Sequence, residues 1–182
     1  MKTATKKLAL FAIGIALFVV LSLCLQVPVF ENYYLCLGYV VMAVYCYSFG
    51  ALAGTVVGVF GVILYCLVIN GMRGMPGWAL GNLFIGVLLG LGFWAARKVK
   101  NPVLRSVIHV AAIIVSVALG ILVVKSLVDC LIRMQPFLVR VSTNIYAFVA
   151  DCAVLILSLP ICAVLDRYAR QIFPGLAVRA KD

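Results

Sequence analysis

Apolar residues run through the chain in long blocks separated by short polar breaks, at about positions 8–25, 35–70, 78–96, 106–132 and 141–165. A helix needs about 20 apolar residues to cross the hydrocarbon core of a bilayer. Four of the blocks suit one crossing each. The second, taken as a single helix, would reach about 53 Å at 1.5 Å per residue, against a core of about 30 Å. Dividing it at Tyr47-Ser48-Phe49-Gly50 gives a short second helix and a fuller third. The pattern therefore predicts an all-α, polytopic bundle forming one membrane domain over residues 1–182. Its spans are 8–25, 35–48, 50–70, 78–96, 106–132 and 141–165, with a short tail at 171–182. The loops are short except the first, Gln26–Tyr34.

Charge orients the bundle and tests the division of the second block. Cytoplasmic loops carry an excess of Lys and Arg. With six spans and the N-terminus inside, Lys2, Lys6, Lys7, Arg97, Lys98, Lys100, Arg105, Arg167, Arg170, Arg179 and Lys181 lie inside, and Arg73, Lys125, Arg133 and Arg140 lie outside. That is eleven against four. Five spans would leave seven inside and eight outside, which is no bias. The rule selects six spans with both ends in the cytoplasm.

Composition agrees. The 182 residues are 66% hydrophobic and 11% charged, with a mean hydropathy of +1.24, whereas an ordinary soluble domain is about 45–50% apolar and about 25% charged. The net charge of +10 sits at the ends of apolar runs, so it writes topology and gives no reason to expect nucleic acid. Cys24, Cys36, Cys46, Cys66, Cys130, Cys152 and Cys162 contain no CxxC pair and lie mostly inside apolar runs. They read as small hydrophobes, with neither a disulfide framework nor a metal site expected. The basic, then apolar, N-terminus imitates a signal peptide, but it is long enough to span and no small-residue cleavage site follows. It is expected to be a retained first helix.

Small residues recur at helical spacing: Ala12 and Ala16 in the first span, Gly50, Gly54 and Gly58 in the third, Gly86 and Gly90 in the fourth. Such stripes let another helix approach closely, either within this bundle or from a partner. Polar residues inside the spans are costly in lipid, about 2.5–3.5 kcal/mol for a central carboxylate on insertion scales. Asp151 is central in the sixth span, with Asn144 seven residues earlier on the same face. Lys125 and Asp129 are four apart in the fifth, and Trp78 and Asn82 four apart in the fourth. All lean toward the outer leaflet. Two readings stand: an outward-opening, water-accessible cavity, or groups that satisfy one another as structural glue while Lys125 snorkels. The first loop holds Phe30, Glu31, Asn32, Tyr33 and Tyr34, which fit either interface anchors or a lid whose rings stack on a flat ligand.

No P-loop, HExxH or GxSxG occurs; the nearest P-loop fragment has Val124 where the glycine before Lys125 would stand. The single His109 has no second histidine for a metal. No enzyme activity and no cofactor are expected.

Taken together, these residues resemble the substrate-binding S components of energy-coupling factor (ECF) vitamin transporters, closest to the riboflavin-type branch. The basic N-terminus leading into Ala12-Ile-Gly-Ile-Ala16 is similar to that family's AxxxA helix. Leu37-Gly38 through Tyr47-Ser48-Phe49-Gly50-Ala51-Leu52-Ala53-Gly54 looks like its second and third helices, and Trp78-Ala79-Leu80-Gly81-Asn82-Leu83-Phe84-Ile85-Gly86 with Gly90 like its fourth. The resemblance implies capture of a vitamin or related micronutrient at the outer face of a bacterial plasma membrane. It also implies a separate transmembrane scaffold subunit and two cytoplasmic ATPases that supply energy. Ala12 and Ala16 would dock on the scaffold, and the 26–34 loop would gate the pocket. Many members carry an acidic residue near the end of the second or third helix, and here both are free of charge. The rival classes are a self-contained small-solute transporter or channel, and an assembly subunit of a membrane complex.

Overall fold

The computed structural model describes residues 3–24, 27–30, 33–69, 71–173 and 175–177, with no side-chain description for residues 3, 27–30, 33 and 34. Helix α1 (Thr3–Cys24) leads into a small antiparallel hairpin of β1 (Val27–Phe30) and β2 (Tyr33–Leu35), with Val27 opposite Leu35 and a bulge between Pro28 and Phe30. Then follow α2 (Gly38–Phe49), α3 (Ala51–Val68), α4 (Met75–Arg97), α5 (Pro102–Arg133) and α6 (Phe137–Ile172). All of these but α2 are long and apolar enough to cross a membrane; α2 is an apolar helix of 12 residues. The all-α expectation holds for the bundle, while the first loop departs from it by folding into the hairpin.

Local chemistry sets the boundaries. Gly50 alone separates α2 from α3, at φ 90°, a conformation that costs a residue with a Cβ and is free to glycine. The chain therefore turns back within one residue, at the C-terminal edge of the predicted Tyr47–Gly50 break. Asn101 caps α5, its Oδ1 accepting from the amides of Val103 at 3.0 Å and Leu104 at 3.4 Å, and Pro102 follows at the first helical position, where no amide is needed. Helix α5 ends where Met134 adopts a left-handed conformation at φ 52°. Both α5 and α6 extend past the apolar stretches that mark them in the sequence, because helical hydrogen bonding continues to a cap while hydropathy reports only the part suited to lipid.

Contacts place the helix ends at two opposite poles. At one, here the hairpin pole, Ser22 of α1 meets Gly38 of α2, and Gly77 of α4 meets Asp129 of α5. At the other, Ala51 of α3 meets Gly90 of α4, and Tyr47, Phe93 and His109 pack ring on ring at centroid separations of 5.1–5.6 Å. The Arg97 guanidinium lies 5.1 Å over the Tyr47 ring, and Phe49 packs on Phe173 at 6.0 Å. His109 is thus buried in an aromatic layer closing the terminal pole.

Glycine governs the interior spacing. A Cβ on Gly54 would strike Cys46, one on Gly58 would meet the Met42 sulfur at 2.6 Å, and one on Gly86 would meet the Thr55 Cα at 2.6 Å. The stripes of α3 and α4 are consumed by packing inside the bundle. Around this core, Leu52, Phe60, Leu64, Leu83, Leu91, Val115, Val149 and Leu157 face outward, as a lipid solvent requires. Ala12 and Ala16 also face outward, while Gly14 and Phe18 of the same helix face in.

Because Gly90 abuts the Ala51 backbone, Gly90→Val should lower the melting temperature of the purified protein, an overpacking cost of about 1–3 kcal/mol or more. Gly175, with nothing within 4 Å of its Cβ position, is the control: Gly175→Ala should melt like the wild type. A Gly90→Val protein that melted with the wild type would contradict the packing.

Candidate functional site

The polar residues of four helices converge at the hairpin pole. Asn82 is fully buried between α2 and α3: its Oδ1 accepts from the Tyr39 hydroxyl at 2.7 Å and its Nδ2 donates to the Gly58 carbonyl at 3.1 Å. Tyr39 in turn accepts from Trp78 Nε1 at 2.9 Å, and the Trp78 ring packs edge-on against Tyr65 at 5.6 Å. A buried tyrosine must find partners for its hydroxyl, and here Tyr39 ties α2 to α4. The carboxyl of Asp151, 5% exposed, faces the Tyr39 hydroxyl and the Lys125 charge.

The second half of the constellation is ionic. Lys125 Nζ donates to Asp129 Oδ2 at 3.1 Å and to Asn144 Oδ1 at 2.6 Å. Asn144 Nδ2 donates to Ser126 Oγ at 2.9 Å. Arg140 reaches the same Asp129 Oδ2 at 3.5 Å through one terminal nitrogen and Gln135 Oε1 at 2.9 Å through the other. Asp129 is 1% exposed and Arg140 8%. Two cations, Lys125 and Arg140, thus share one carboxylate, Asp129. Buried charges persist where they are paired and hydrogen-bonded, and the Asp151 carboxyl lies buried beside this set.

Backbone geometry places these side chains. Residues Ala118–Lys125 of α5 form a π-helical segment, and such wide turns gather at functional sites. A Cβ on either Gly120 or Gly81 would come within 2.8 Å of the other's carbonyl oxygen, so two glycines let the π segment lie on α4. Gly77 does the same for Asp129: a Cβ there would sit 2.5 Å from Asp129 Oδ1. The carboxylate therefore rests against the first turn of α4, the positive end of a helix dipole.

Of the residues singled out in the sequence, Trp78, Asn82, Lys125, Asp129, Asn144 and Asp151 come together. Asn32 lies outside the described residues. Tyr33 and Tyr34 belong to β2, where Tyr34 pairs with Pro28. Two members were missed. Tyr39 sits in an apolar run where nothing but its own hydroxyl signals a polar role. Arg140 looked like a charge at the outer boundary, yet it is drawn inward by Asp129. Buried atoms without a partner among the described residues include Asp129 Oδ1 and Arg140 Nε, both in this cluster. No group of three or more His, Cys, Asp or Glu side chains suited to a metal ion occurs among the described residues. The chemistry on offer is recognition: aromatic faces, amide and hydroxyl hydrogen bonds, and paired charge.

Comparison with known proteins gives two findings. A family model described as the S component of an ECF-type riboflavin transporter matches residues 2–167. Among solved structures, the fold is similar to that of an S component for biotin from an ECF-type ABC transporter, with a TM-score of 0.62 and 17% identity over 94% of this chain and 95% of that chain. No curated protein matches the chain.

The shared carboxylate ranks two substitutions. Lys125→Met leaves Asp129 with Arg140, whereas Asp129→Asn leaves both cations buried without their counter-ion, and breaking a buried pair costs about 3–5 kcal/mol. Asp129→Asn should therefore lower the melting temperature more than Lys125→Met. The opposite order would mean that Asp129 does not hold both cations.

Proposed function

Because the chain belongs to the family of ECF-type riboflavin transporter S components, we propose that the constellation at the hairpin pole is where it holds a vitamin or related micronutrient for import. An S component is the substrate-binding membrane subunit of an ECF importer, so the rival readings of a self-contained transporter and an assembly subunit give way. The observation that carries the site is the convergence of Tyr39, Trp78, Asn82, Lys125, Asn144 and Asp151 from α2, α4, α5 and α6 at one pole.

In this reading the chain crosses the membrane six times, with both termini in the cytoplasm and the hairpin pole outside. The eleven-to-four distribution of basic residues supports it. Helix α2, about 18 Å long at 1.5 Å per residue, makes the shortest crossing, and the hairpin completes its outer end. Asn32, Tyr33 and Tyr34 form the lid. Asn82, whose amide is committed to Tyr39 and Gly58, positions the Tyr39 and Trp78 pair. Lys125, Asn144 and Asp151 are the groups that address the ligand, and Asp129 sets the charge of Lys125. Energy comes from a transmembrane scaffold subunit and two cytoplasmic ATPases in the bacterial plasma membrane. Ala12 and Ala16 are the scaffold's docking stripe, supported by their outward position on α1, where small side chains admit close helix approach.

Two measurements test this. Asp151→Asn keeps the shape of the side chain and removes its charge; a hydrogen bond to a charged group is worth about 1.5–3 kcal/mol. Retention of the co-purified small molecule, read by native mass spectrometry, should fall about tenfold to a hundredfold with the melting temperature preserved. A lowered melting temperature with unchanged retention would make Asp151 structural.

Separately, Ala12→Trp and Ala16→Trp should abolish co-purification with the scaffold and ATPases while leaving ligand retention intact. Equal loss of ligand would place the stripe inside the bundle.

A further inference from the structure

A pocket of about 510 Å³ opens at the hairpin pole between the α3–α4 loop and the C-terminal end of α5, lined by Arg73, Ile132, Arg133 and Gln135. Among the described residues, none assigned to the micronutrient lines it. Arg73 and Arg133 are exposed, and neither has an ion-pair partner among the described residues. Two guanidinium groups around one pocket, with no acid among the described residues of its lining, repel one another. The bias of basic residues toward the other pole makes their presence here more pointed.

The third polar member fixes the character of the pocket. Gln135 Oε1 accepts from Arg140 at 2.9 Å. Arginine has only donors, so the amide must turn its oxygen to Arg140, and its NH₂ is the end left for the pocket. Every polar side chain among the described lining residues then offers donors: two guanidinium forks and one amide. A carboxylate saturates one such fork, while a phosphate carries enough oxygens to engage two forks and an amide together, through charge-assisted hydrogen bonds.

We propose that this pocket is a phosphate-binding site, touching the central constellation only through Gln135 and Arg140, and taking either a soluble phosphate or phosphomonoester or the headgroup of an anionic phospholipid. The site depends neither on the orientation of the chain nor on the identity of the micronutrient.

The test uses the intact protein in phosphatidylcholine nanodiscs, with inorganic phosphate titrated and binding followed by ³¹P NMR. Saturable binding is expected, weakened at least tenfold in the Arg73→Gln/Arg133→Gln double variant and reduced by added salt. Gln135→Glu keeps the partner of Arg140 but replaces the amide donor with a negative charge, so it should abolish phosphate binding without lowering the melting temperature. Repeating the titration in nanodiscs containing phosphatidylglycerol identifies the occupant: weakened phosphate binding means that the lipid headgroup competes for the site, and unchanged binding means a soluble phosphate. The absence of saturable binding, or equal binding by the double variant, overturns the proposal. Retention of the micronutrient, measured on the same samples, reports separately on the central site.

Discussion

A charge inside a membrane protein is tolerated only where opposite charge and hydrogen bonds surround it, and three such charges, Lys125, Asp129 and Arg140, decide how α4, α5 and α6 meet here. Lys125 and Arg140 compete for one carboxylate oxygen of Asp129, which binds the C-terminal half of α5 to the start of α6. The Asp151 carboxyl is buried beside them on α6, and Tyr39, through Asn82 and Trp78, ties α2 to α4. Removing Asp129 strands both cations in a medium without water. The cluster therefore fixes register more firmly than apolar packing alone, which is nearly neutral between helices already bathed in lipid.

Close packing supplies the complement. Lipid offers little drive for helices to associate, so they must gain dispersion by approaching closely, and the glycines of α3 and α4 allow that approach to backbone contact. The same glycines at Gly77, Gly81 and Gly120 create room for the ionic cluster beside α4. One residue type thus serves both the bundle's cohesion and the placement of its costliest side chains.

Much of this was legible in the chain. Hydropathy marks the long helices, and the length limit of the bilayer exposes the break that Gly50 makes. Helical spacing placed Trp78 with Asn82, and Lys125 with Asp129. The hairpin was not legible, because Gln26–Tyr34 alternates too briefly to announce strands and its pairing depends on the helices that frame it. Tyr39 and Arg140 escaped for opposite reasons. A tyrosine in an apolar run gives no hint that its hydroxyl has a partner 43 residues away, and an arginine at a block edge looks solvated until a buried carboxylate on another helix claims it.

The π segment of α5 has a consequence of its own. A regular helix repeats every 3.6 residues, so the positions that face one neighbour are fixed along its whole length. The wide turn at Ala118–Lys125 resets that phase midway. Before it, α5 turns His109, Ile113, Ser116 and Val117 inward; after it, the inward face carries Ser126 and Asp129. The segment works as a phase shifter, letting one continuous rod pack on the aromatic layer at one pole and present its carboxylate to the ionic cluster at the other.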